Sequence, residues 1–266
     1  MSRKILITGG PTNEYIDEVM KITNMSSGKI AIELSEKFVN NGDEVTLLLT
    51  KTIKHPTLDI LSSKENFALT RFETTEELLN AITSLSAIHQ YDIIIHSSAV
   101  GDYKPEFSFR AEDMAKEITE KLIHHFRFRN GDYSLESQDA YTKEVLNILT
   151  NPDCKVNDST KISSVEPNLT VKLGLTPKII ASLRNLFPNA FICGFKLLEN
   201  VPEQELIDAA TKQINKCNTN LCFANDLAEL RRGNPARLVV NKDGFTDVRV
   251  NGADGIFNLL NIVVKE

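Results

Sequence analysis

The first forty residues constrain the fold more than any other segment. Ile5, Leu6 and Ile7 form an apolar run of the kind that becomes a strand buried on both faces of a parallel sheet. Gly9 and Gly10 follow, and glycine lets the backbone turn sharply and bring its N–H groups close to a ligand. Ser26, Ser27 and Gly28 then open a helical pattern over residues 29–41 and supply its N-cap. A helix start offers unpaired amides and the positive end of the helix dipole, so it suits an anion. Gly9 and Gly10 alone would mark only a tight turn. Two phosphate-compatible elements in one β–α unit point further, to a nucleotide or another phosphorylated ligand.

The alternation continues along the chain. Strands are expected over residues 4–8, 44–49, Phe67–Phe72 and 91–97, with helices over 28–40 and Thr75–Ile88 between them. Later come a helix over 177–186 with Pro177 in its first turn, a strand over 190–195, a helix over 202–216 and a strand over 220–224. Strands at 237–241 and 246–250 form a hairpin around Lys242-Asp243-Gly244, and a last helix covers 254–260. This is the pattern of a doubly wound, mostly parallel α/β sheet with helices on both faces and ligands at the strand C-termini. The loops at Gly9, Ser97 and Asn225 all follow such strands. Residues 1–266 read as one nucleotide-binding domain. Within it the pattern loosens over 106–158, read as an inserted flap or dimerisation segment with helices at 112–126 and 139–149 and a hairpin at Asn130-Gly131.

Several classes are disfavoured. A net charge of −6 argues against nucleic acid or an anionic membrane as the main partner. Cys154, Cys193, Cys217 and Cys222 have no C-x-x-C spacing and read as free thiols of a reducing compartment. The N-terminal apolar run is too short for a signal peptide or a span, so a cytoplasmic protein is expected. His124-His125 has no carboxylate or cysteine at ligand spacing, so no metal site is assigned. No third glycine completes a dinucleotide fingerprint, and the second strand ends T-L-L-L-T without a ribose-binding acid, which weighs against an NAD(P)-dependent oxidoreductase. A non-catalytic nucleotide sensor on the same fold is the other alternative.

Four segments carry a resemblance: G-G-P-T-N-E-Y-I-D at residues 9–17, I-T-N-M-S-S-G-K at 22–29, S-S-A-V-G-D-Y at 97–103 and L-C-F-A-N-D-L at 221–227. With K-I-S-S at 161–164, T-P-K-I-I at 176–180 and G-F-K-L-L-E at 194–199 between the last two, they resemble the phosphopantothenoylcysteine synthetase family of coenzyme A biosynthesis, in its stand-alone bacterial form. The resemblance implies a Rossmann-like ligase that joins 4′-phosphopantothenate to cysteine. Activation by CTP, with ATP the alternative, would give an acyl-nucleotidylate and pyrophosphate, with Mg²⁺ carried largely by the phosphates.

By the same resemblance Asn24 hydrogen-bonds the activated acyl group, and Gly9, Gly10, Ser26, Ser27 and Gly28 hold phosphates. Lys161 opens a mobile lysine loop that closes on the triphosphate. Ser97, Ser98, Ala99 and Asp102 form a substrate and nucleotide loop, with Asp102 on ribose or pantothenate hydroxyls. Phe195 belongs to the base pocket and Asn225 contacts nucleotide. Pro177, Lys178, Ile179 and Ile180 form a helix start that reads the pyrimidine, and Lys212 and Lys216, at i and i+4, reach a phosphate or the base. A homodimer is expected from the family. About fifty residues separate Asp102 from Lys161, an insertion by ordinary loop lengths.

Overall fold

The computed structural model describes residues 2–128, 135–156, 161–162, 165 and 167–264. In chain order the elements begin β1 (Lys4–Gly9), β2 (Asn13–Tyr15), β3 (Lys21–Thr23), α1 (Lys29–Asn40), β4 (Glu44–Thr50), α2 (Pro56–Leu61) and β5 (Phe67–Phe72). They continue α3 (Thr75–Ile88), β6 (Ile93–His96), β7 (Tyr103–Arg110), α4 (Ala111–Phe128), α5 (Leu135–Thr150) and β8 (Leu169–Leu175). The last are α6 (Ile179–Leu186), β9 (Phe191–Leu198), α7 (Glu203–Cys217), β10 (Leu221–Asp226), α8 (Leu227–Arg231), β11 (Ala236–Asn241), β12 (Gly244–Asn251) and α9 (Gly252–Val263). Two compact units form: one from Met1–Asn13, Thr23–Gly101 and Pro177–Glu266, the other from Glu14–Ile22 and Asp102–Thr176. The expected insertion at 106–158 falls inside the second.

The first unit holds an eight-stranded sheet in the order β12-β11-β10-β9-β6-β1-β4-β5. The pairings from β5 through β4, β1, β6 and β9 to β10 are parallel, and β11 and β12 add an antiparallel edge. The order reverses at β1 and β6, the switch point at which doubly wound sheets bind ligands. β1 is buried on both faces as its apolar run predicts. Ile5 and Ile7 join one cluster with Ala31, Leu34 and Phe38 of α1 and Ile256 and Leu260 of α9. Leu6 faces the other way, among Leu78 and Ile82 of α3 and Leu183 of α6, while α7 covers β10 through Leu206, Ala210 and Ile214. Each such aliphatic side chain contributes roughly 1.5–3 kcal/mol by leaving water.

Two helix starts add detail to their sequence reading. Of the three residues expected to supply the N-cap of α1, Gly28 holds that position, with φ 67° and no side-chain cap. A Cβ there would lie 2.7 Å from Ile53 Cδ1, so glycine is required by space as well as by backbone. Ser26 and Ser27 bond weakly forward, their hydroxyls accepting the Gly28 and Lys29 amides at 3.5 and 3.4 Å. Helix α6 starts at Ile179 with Lys178 as N-cap, so Pro177 precedes the helix instead of lying in its first turn.

The second unit contains a two-stranded antiparallel sheet of β7 and β8, with a register shift between Pro105 and Phe107. The sequence reading missed both strands because Pro105 and the interleaved charges obscure the alternation. Phe107 and Phe109 pack with Met114 of α4 and Ile148 of α5. The Glu117 carboxylate on α4 accepts the amides of Asp153 and Cys154 at 3.0 Å and the Lys121 ammonium at 2.6 Å. The Asn130-Gly131 hairpin lies outside the described residues.

Candidate active site

A cleft of about 510 Å³ opens in the first unit at the C-terminal ends of the parallel strands, a size that suits a nucleotide or another small ligand. One part of its lining is the start of α1, where Ile32 donates to Gly28 O at 3.2 Å as the first helical bond. The amides of Lys29, Ile30 and Ala31 precede that bond and have no intrahelical acceptor. The loop after β6 supplies Ser97, Ser98 and Ala99, and the far strands supply Phe195, Asn225 and Arg237. Ser26, Ser27, Gly28, Ser97, Ser98, Ala99, Phe195 and Asn225, all singled out from sequence, therefore share one cleft.

Glycines and hydroxyls determine how closely this lining packs. A Cβ on Gly9 would approach Ala31 Cβ to 2.3 Å, so glycine lets α1 pack directly on β1. Gly10, at φ 80°, leaves room for Thr50 and Ile53. Neither glycine lines the cleft; they set the helix start that does. Below the β6 loop, Ser97 Oγ donates to Thr8 O at 2.7 Å, and the Ser98 amide donates to Thr8 Oγ1 at 3.3 Å. Thr8 Oγ1 lies 2.8 Å from His96 Nδ1. Burial pushes the His96 pKa down to about 4 and keeps the ring neutral. With its oxygen accepting Ser98 N–H, the Thr8 hydroxyl is placed to donate to Nδ1.

Asn24 is exposed, and its amide donates to Ala99 O and Val100 O at 3.3 and 3.1 Å. It thus ties the loop before α1 to the loop after β6. Phe195 lies within β9 and packs on Phe223 at 5.3 Å between ring centroids. Asn225 is a buried β10 residue rather than a loop residue, 8 % exposed. Pro177, Lys178, Ile179 and Ile180 do not line the cleft; Ile179 is core, and Ile180 fills the space beside Gly194. Lys212 and Lys216 are exposed on α7 and also lie off the lining.

Two further predicted residues belong to the second unit. Asp102 is exposed, and its carbonyl accepts the Thr176 amide at 3.1 Å. Lys161 is exposed; its neighbour Ile162 donates its amide to Asp17 Oδ2 at 2.9 Å. The same carboxylate accepts the Val19 and Met20 amides, and hydrogen bonds from Met20 first, then Ile162 and Val19, hold its pKa below the ordinary value. Asp17 thereby anchors the start of the lysine segment.

Three of these groups escaped the sequence reading: Asp17, His96 and Arg237. The available signal was a polar side chain inside an apolar strand run, I-I-I-H for His96 and A-R-L-V-V for Arg237. Among the described residues, no group of three His, Cys, Asp or Glu side chains could hold a metal ion, and no helix is long and apolar enough to cross a membrane. His124 is exposed on α4, and the side chain of His125 lies outside the described residues.

A Rossmann-like α/β sheet with a helix N-terminus at its switch-point cleft defines the class of protein. Residues 1–129 match the family described as DNA/pantothenate metabolism flavoprotein C-terminal domain. The coenzyme A biosynthesis bifunctional protein CoaBC of Thermococcus kodakarensis is 32% identical over 225 residues, covering 85% of this chain and 41% of that protein. Its counterpart from Methanocaldococcus jannaschii is 29% identical with the same coverage of both. The chain thus spans about two-fifths of the length of these relatives. The crystal structure of the DNA/pantothenate metabolism flavoprotein from Streptococcus pneumoniae superposes over 99% of both chains with a TM-score of 0.74 and 28% identity. A Cab2 mutant solved in complex with phosphopantothenate-cysteine shares the fold at a TM-score of 0.62 and 18% identity. The chain is thus similar over residues 1–129 to that family and, over 85% of its length, to part of the CoaBC proteins.

Proposed function

We propose that this protein is a phosphopantothenate–cysteine ligase of coenzyme A biosynthesis. The observation that carries the reading is the meeting of the Ser26-Ser27-Gly28 helix start with the Ser97–Ala99 loop in one switch-point cleft of a chain whose residues 1–129 match the pantothenate-metabolism family model. The family relatives named for coenzyme A biosynthesis and the Cab2 complex with phosphopantothenate-cysteine support it.

A carboxylate oxygen of 4′-phosphopantothenate attacks the α-phosphorus of CTP. The bond to the pyrophosphate leaving group breaks, and an acyl-cytidylate forms. The cysteine amine then attacks the acyl carbon, loses its proton and expels CMP. Amides at the start of α1, with the Ser26 and Ser27 hydroxyls, hold phosphate oxygens where negative charge develops. Phe195 and Asn225, which line the cleft, serve the nucleoside, and the K-I-S-S motif assigns Lys161 a role at the triphosphate. Asn24 donates to the acyl oxygen, for which its amide must leave Ala99 O and Val100 O. Asp102 takes hydroxyls of ribose or pantothenate. The positions of Pro177–Ile180, Lys212 and Lys216 support no direct contact with the cleft. Mg²⁺, entering on the triphosphate, would neutralise phosphate charge. The protein is proposed to act as a cytoplasmic homodimer.

The test is pyrophosphate release by purified protein with phosphopantothenate, cysteine and Mg²⁺, CTP against ATP. The expected outcome is release that requires phosphopantothenate, is faster with CTP, and is matched by phosphopantothenoylcysteine. Folded protein that releases none with either nucleotide would refute the reading and favour a nucleotide sensor.

A further inference from the structure

Arg237, on β11, is nine-tenths buried, yet it lines the cleft. Among the described residues its guanidinium has one hydrogen-bond acceptor, Pro235 O at 3.3 Å from Nη1, and no carboxylate at ion-pair distance. Burial lowers its pKa, and Glu33 opposes this from a longer range. Glu33 itself is paired with Lys29 at 3.6 Å.

The other arginines fixed in this unit look different. Arg184 gives its guanidinium N–H groups to Asn218 O, Pro188 O, Ala190 O and Asn220 Oδ1. Arg3 is held by both oxygens of Asp43 and by Asn261 Oδ1, although its Nη1 has no partner among the described residues. Each of these guanidinium groups has at least three acceptors, and Arg237 has one. A guanidinium has five N–H donors in a rigid fork suited to carboxylate or phosphate, and a buried charge is costly until an anion completes it. The same cleft is lined by the start of α1, whose Ile30 and Ala31 amides precede the first helical bond, and by Ser98, whose buried Oγ has no partner among the described residues.

We propose that Arg237 is an anion-binding residue of this cleft, gripping a phosphoryl oxygen of a phosphorylated substrate that the α1 amides and the Ser98 hydroxyl also hold. The anion site stands on this geometry alone; which substrate brings the phosphate rests on the ligase reading. A strand-borne arginine gives this chain a fixed cation in the cleft, independent of the Lys161 segment.

Inorganic pyrophosphate is the probe, titrated calorimetrically into the full chain. Arg237→Met is expected to bind it roughly 10–100-fold more weakly than wild type, with Arg237→Lys between the two. Lys64→Met, which removes an equal charge from an exposed position, is expected to leave the affinity unchanged. Glu33→Gln, which leaves Arg237 in place, is expected to tighten binding several-fold by relieving repulsion of the anion. Wild-type affinity in a folded Arg237→Met protein overturns the proposal. If that variant fails to fold, unchanged affinity in Glu33→Gln overturns it instead. In steady-state assays of Arg237→Lys, a KM rise confined to the nucleotide assigns the site to the triphosphate, and one confined to phosphopantothenate assigns it to that phosphate. Absence of turnover in wild type would refute the ligase and leave the pyrophosphate result standing.

Discussion

Acidifying the protein from pH 7 to pH 5 should cost it about 2 kcal/mol of stability through His96 alone. The ring ends β6, is 7 % exposed, and accepts the Thr8 hydroxyl at Nδ1. Burial lowers its pKa from 6.5 to about 4. A lowered folded-state value means that the unfolded chain takes up the proton first. The contribution is complete above pH 6.5, declines as the pH falls toward 4, and amounts to about 3 kcal/mol when fully lost. The carboxylates of Asp17, Asp43 and Asp226, whose values are lowered in the fold, contribute in the same direction. Their unfolded values lie near 3.8, so their losses fall mainly below pH 5. The interval from pH 6.5 to 5 therefore isolates the histidine. Urea unfolding at half-unit pH steps, wild type against His96→Gln, should show a slope in the first that is missing from the second. A flat wild-type profile, or an equal slope in both proteins, would refute the assignment of a neutral, buried imidazole.

Gly9→Ala is expected to lower stability by about 1–3 kcal/mol, because the new methyl would meet Ala31 Cβ at 2.3 Å; an unchanged melting temperature would show that α1 can shift freely. Glu117→Ala should destabilise the second unit by about 1–3 kcal/mol by leaving the Asp153 and Cys154 amides without their acceptor. Amide exchange at those two residues reads this directly, and wild-type protection would count against it. Asn24→Ala should leave the fold intact and slow amide formation roughly 100-fold, more than it slows pyrophosphate release. Equal effects on both steps would exclude a role confined to the acyl group.

The parallel core was legible because Ile5–Ile7 and Ile93–Ile95 are apolar on both faces, and only a strand covered on both sides satisfies that pattern. The Ser-Ser-Gly helix start was legible for a local reason: its chemistry is set within a few residues. The second unit was harder to read. Pro105 and the charges of β7 hide a strand whose partner, β8, begins almost sixty residues beyond its end, and only long-range pairing makes it regular. Gly28, of the three residues read as supplying the N-cap, sits where Ile53 and Leu49 leave no room for a Cβ, a fact no local window contains. The cleft likewise joins residues more than two hundred positions apart, such as Ser26 and Arg237. Sequence by itself determined the α/β alternation and the place where α1 starts, since these rest on local pattern. Tertiary structure alone decided that Arg237 is a buried cation short of acceptors and His96 a buried neutral base, because burial and partner supply depend on neighbours brought from distant parts of the chain.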